Sequence, residues 1–239
     1  MTKNQSGNVL VFILIAIVLI GLLTTVLTRS SNTSNETGDY EQRQIIASQA
    51  LRYVKEIETT IQSLKAQGCG ENQLSFENSK EAGYSNANAP TDNSCHIFEP
   101  QGGGMVWEDP PQNITAQPWA IYGDHAVHGI GTTDSPLINR NADLIMVMRD
   151  IPSFICNAIN LQLRLGLASP PTDQGSSISD GTEVKFQGTY AGNESITGAN
   201  TADFCPDDST TPLCYKNSGC YEEGGNAGYY VFYYVLLGR

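Results

Sequence analysis

The chain has 239 residues, with 25 acidic side chains against 13 basic ones and a formal net charge of −12. The basic residues are scattered, which excludes a phosphate-backbone partner such as DNA or RNA, because that binding needs clustered Lys and Arg to displace counterions. An acidic surface keeps an exposed domain soluble, and the length leaves room for one domain with a sizeable core.

Residues 1–8 carry one charge, on Lys3, and the run VLVFILIAIVLIGLLTTVL from Val9 to Leu27 carries none. At roughly 1.5 Å per residue a helix over that run covers about 30 Å, the thickness of a bilayer's hydrocarbon core. Three fates are open to it: a cleaved export signal, a permanent anchor, or a fibre-forming helix trimmed only at its cytoplasmic tip. A secretory signal has a shorter apolar region and a small-x-small cleavage site. Here the polar run that starts at Thr28 and Arg29 follows directly, so retention is expected. Lys3 and the amino terminus place residues 1–7 in the cytoplasm by the positive-inside bias, with the helix over 8–28 crossing the membrane. Residues 29–38 lack an apolar period and read as a polar linker or loosened helical joint. Residues 39–239 read as the exported domain, periplasmic or extracellular.

A long amphipathic helix is expected over 39–67, because Ala47, Ala50, Val54, Ile57, Ile61 and Leu64 recur at spacings of three and four. Gly68 ends it. The seam predicts packing on the protein's own sheet rather than an intermolecular coiled coil. Short apolar runs then predict strands at 73–76, 96–98, 105–108, 119–122, 144–149, 183–190 and 229–237. A second helix is expected over 152–165, with Ile155, Cys156, Ile159 and Leu163 on one face. The fold class is therefore α+β, with a mainly antiparallel sheet. The last run, YYVFYYVLL, is too apolar for an open edge and belongs centrally or under the long helix.

Six cysteines, Cys69, Cys95, Cys156, Cys205, Cys214 and Cys220, form an even set beyond the apolar run and read as disulfides of an oxidising compartment. Six cysteines allow fifteen pairings, although Cys205, Cys214 and Cys220 are close enough for a local loop. His125 and His128 form an HxxH beside Asp124, but no spacing fixes a third ligand, and a surface loop is expected there. Asp203, Asp207 and Asp208 suit either a Ca²⁺ ion, which prefers oxygen ligands, or a solvated acidic loop. No other metal or cofactor is expected. Trp107, Trp119 and the tyrosines of 221–234 suit a sugar-binding floor or, more simply, the core. GxSxG, HExxH, Walker A and helix-opening GxGxxG motifs are all missing, so no enzyme is expected.

Residues 1–67 resemble a type IV prepilin or pseudopilin: a short leader with Lys3, a glycine at its end (Gly7), an apolar helix and an amphipathic continuation. The stretch QSGNVLVFILIAIVLIGLL is similar to minor pilins and minor pseudopilins. The resemblance implies cleavage by a prepilin peptidase between Gly7 and Asn8, a helix (Val9, Phe12, Leu27) that packs among other pilin-like subunits of an envelope filament or secretion apparatus, and a disulfide-bearing α+β head of structural or adhesive use. Most major pilins carry glutamate at the fifth mature position, where this chain has Phe12, and the departure points to a minor subunit. The alternative is a bacterial single-pass inner-membrane protein whose external domain binds a small ligand or polysaccharide without joining a filament.

Overall fold

A computed structural model describes residues 6–111, 114–127, 130–131, 142–173, 178, 184–191, 194–196, 213, 215–224 and 226–239, with the backbone alone for 6–10, 23–38, 173 and 194–196. Helix α1 spans Ser6–Ala66. The chain divides into two units, Met1–Arg43 and Gln44–Arg239. Residues 29–38, expected as a polar linker or loosened helical joint, are helical in backbone throughout, and the second unit begins at Gln44. Ser, Thr and Asn cost a helix only a few tenths of a kcal/mol each, and extending an existing helix avoids the nucleation cost.

In the first unit every residue from 11 to 22 is exposed. Among the described residues no helix is long and apolar enough to cross a membrane, so the transmembrane expectation stays with the sequence of residues 9–27.

In the second unit the seam of α1 is buried as expected: Ala47, Ala50, Val54, Ile57, Ile61 and Leu64 are at most 1% exposed. The helix stops at a Schellman cap. The Gly68 N–H donates to the Lys65 carbonyl and the Cys69 N–H to the Leu64 carbonyl, with Gly68 at φ +105°. Cys69 is then bonded to Cys95.

Between Cys69 and Glu108 the expected strands shrink to one parallel bridge, Ser75 to His96. Beside that bridge the buried Asn86 amide donates to the carbonyls of Asn72 and Leu74, where a neighbouring strand would otherwise bond Leu74. The apolar residues there turn inward instead, and Phe76, Tyr84, Phe98, Trp107 and Phe186 form a chain of ring contacts at 5.3–6.5 Å.

The sheet comprises β1 (Ala120–Val127), β2 (Asp143–Ile151), β3 (Thr172–Asp173), β4 (Glu194–Ile196), β5 (Ser218–Glu223) and β6 (Tyr230–Leu237), in the order β3-β5-β6-β2-β1-β4. Its centre, β5-β6-β2-β1, is antiparallel, while β3 and β4 are short parallel additions at the edges. The aromatic run of β6 lies inside the sheet, where both its sides are paired. One face, with Ile121, Leu144, Met146, Met148, Phe232 and Leu236, joins the α1 seam in the main core. The other, with Tyr122, Ile145, Val147, Val231 and Tyr233, meets Ile178 and Leu213.

Helix α2 (Ser153–Gln162) is shorter than the expected 152–165, with Pro152 as its N-cap. A disulfide ties it to the sheet through Cys156–Cys220, so Cys220 pairs across 64 residues rather than in a local loop. Cys205 and Cys214 lie outside the described residues.

Candidate functional site

Of the expected assembly residues, Phe12 stands 66% exposed. Gly7, Asn8, Val9 and Leu27 are helical in backbone, and their side chains are not among those described. The Ca²⁺ candidates Asp203, Asp207 and Asp208 fall outside the described residues, as does His128. Among the described residues no group of three His, Cys, Asp or Glu is placed to hold a metal ion.

His125 corrects the surface-loop expectation, because it lies within β1 and is fully buried. The strand expected over 119–122 runs on to Val127. Its pairing with β2 shifts register between Tyr122 and His125: Tyr122 faces Ile145, while His125 faces Asp143. One extra residue on β1 is a β-bulge. Consecutive strand side chains normally point to opposite faces, but here Asp124 Oδ1 lies 2.7 Å from His125 Nδ1. His125 Nε2 is buried without a partner among the described residues. A glycine between apolar strand residues is the sequence signal for such a bulge. A side chain at Gly123 would meet Phe186 and the Thr189 carbonyl at 2.5 and 2.8 Å.

Asp143 caps the same end of the sheet. Fully buried, it accepts the Val127 N–H at 2.8 Å and the Arg239 N–H at 2.9 Å. Burial pushes its carboxyl up to about 6, against the opposing pull of those two bonds and of the Arg239 charge. The Arg239 guanidinium stacks on Tyr190 at 3.9 Å and bonds Glu71 Oε2 at 3.0 Å. Glu71 also takes Lys65 at 2.8 Å. The hydrogen bond from Lys65 and the charges of Lys65 and Arg239 hold the Glu71 carboxyl below its ordinary range. This network joins the end of α1 to residue 239.

The aromatic residues are mostly core. Trp119, Tyr221 and Tyr233 are at most 1% exposed, Trp107 is buried, Tyr230 and Tyr234 are half-buried, and Tyr229 is exposed. No protein-family model, no curated protein and no solved structure matches the chain.

Proposed function

We propose that the chain is a pilin-like subunit of the minor type, structural or adhesive in use, whose N-terminal helix anchors it in the inner membrane and then packs among other subunits. The observation that carries this reading is the helical run over residues 11–22. Its ten large apolar side chains, from Val11 to Leu22, are each 50–66% exposed, so the apolar surface goes all the way round. A helix that is apolar on every side needs lipid or neighbouring helices around it. The same helix, Ser6–Ala66, goes on to carry the seam that the head domain buries. Lys3 and Gly7 precede the apolar run at the spacing of a prepilin leader.

The mass of the mature N-terminus tests the proposal. In cells that contain a prepilin peptidase the chain is expected to begin at Asn8, and Gly7→Glu is expected to leave residues 1–7 attached. A native product that keeps residues 1–7, or begins beyond Arg29, overturns the filament reading. In the first case the chain is a single-pass anchored binding protein.

A further inference from the structure

A recess of about 240 Å³ opens beside the bulge of β1, lined by Gly123, Asp124, Val184, Lys185, Phe186 and Thr189. Two backbone bonds fix its walls: the Phe186 N–H donates to the Ile121 carbonyl at 2.8 Å and the Ala191 N–H to the Gly123 carbonyl at 3.1 Å.

Its charge is one-sided. The Asp124 side chain is 20% exposed, and its one ionic contact is the neighbouring imidazole. The other ionic group on the wall is already committed: Lys185 Nζ bonds Glu81 Oε2 and the Ala82 carbonyl, each at 3.0 Å, and sits over the Tyr84 ring. Among the described residues no Lys or Arg forms an ion pair with Asp124. The contact at 2.7 Å with His125 Nδ1 holds the Asp124 carboxylate at the wall of the recess. Withdrawing such a charge from water without a cation is costly.

We propose that this recess is a binding subsite for an alkylammonium group, carried either by a free amine or by a lysine side chain. The ammonium pairs with Asp124, and the methylene stem lies along Phe186 and Val184. Room for about eight waters at roughly 30 Å³ each accommodates a four-carbon stem and its head group. The bulge supplies the site by turning Asp124 and His125 toward one another, so that His125 orients the carboxylate. The inference stands whether or not the filament reading does.

The test uses the full chain in detergent micelles and ligand-observed NMR with three probes: n-butylammonium, Nα-acetyl-lysine methylamide and n-butanol. Saturable binding of n-butylammonium on the order of millimolar is expected for one half-buried ion pair, at least tenfold tighter than n-butanol and weakened by salt. Asp124→Asn keeps an oxygen for His125 and is expected to lose at least tenfold in affinity. Asp92→Asn, at an exposed site elsewhere, is expected to leave binding unchanged. Binding of the lysine amide as well identifies a lysine side chain as the natural source; binding of butylammonium alone identifies a free amine. Val184→Trp blocks the mouth from a 66% exposed position and decides the matter should Asp124→Asn fail to fold. Equal binding of the alcohol, undiminished binding in a folded Asp124→Asn or in Val184→Trp, or no saturable binding by the parent chain overturns the proposal.

Discussion

Two buried asparagines act as pieces of strand. In β5 the ladder bonds to β6 fall on alternate residues, as the Val235 N–H to Asn217 carbonyl and Glu223 N–H to Tyr229 carbonyl bonds show, so the N–H and C=O of Cys220 point to the outer side. There Asn160 accepts the N–H and donates to the carbonyl, both at 2.8 Å, closing an edge that β3 reaches only at Glu222 and Glu223. Asn160→Ala leaves two buried backbone groups without partners and is expected to cost about 3 kcal/mol, measured by denaturant unfolding with the disulfides intact. Asn160→Asp keeps the acceptor but opposes the carbonyl, and is expected to cost no less. Titration belongs to the same scale. Asp143 binds protons more tightly folded than unfolded, so its contribution falls as pH rises from about 4 through about 6, by up to about 3 kcal/mol. Glu71 has the opposite sign: its contribution is complete above the ordinary carboxylate range and is lost on acidification. Thermal unfolding is therefore expected to give a maximum at about pH 4, where the Glu71 gain and the Asp143 loss cross, and a decline from there to about pH 6. Glu71→Gln is expected to lower stability above about pH 4.5 while leaving the most acidic range unchanged, and Asp143→Asn removes the decline between about pH 4 and 6. None of these polar roles is legible in the sequence, because each depends on which backbone groups a distant segment leaves exposed.

Elements were legible wherever burial has a period. The α1 seam follows directly from spacings of three and four, and β2 and β6 from unbroken apolar runs that are buried on both faces. Strand β5 was missed because SGCYEE holds only Cys220 and Tyr221 as large apolar residues, one for each core. The end of α2 was placed three residues late for a reason that α1 makes plain. Both helices close with a Schellman cap. In α2 the Arg164 N–H donates to the Leu161 carbonyl and the Leu165 N–H to the Asn160 carbonyl. In α1 the left-handed residue is glycine and announces itself; in α2 it is Arg164, at φ +56°. A left-handed non-glycine residue costs roughly 1–2 kcal/mol, part of which glycine returns through the greater freedom of its unfolded chain. Arg164→Gly is expected to stabilise the head by about 0.5–1 kcal/mol, read as a higher denaturant midpoint at unchanged slope.

At the scale of the whole molecule, an acidic chain that repels its own copies carries a helix with no polar side between residues 11 and 22. Covering ten half-exposed large side chains is worth on the order of 10 kcal/mol, whereas repulsion between acidic surfaces is screened within about 8 Å at physiological salt. Association through the helix therefore wins. The full chain is expected to be monomeric in detergent micelles and to leave no monomer at micromolar concentration once detergent is removed. Replacing Ile13, Ile17 and Ile20 together by Lys puts charge along one stripe of the helix, since positions i, i+4 and i+7 share a face. That variant is expected to remain monomeric without detergent while the head unfolds at the same temperature, because the α1 seam begins only at Ala47. Light scattering of the two proteins separates the possibilities. A parent chain that stays monomeric in plain buffer would mean that its apolar run is covered from within, and the helix would then have no call on lipid or on other subunits.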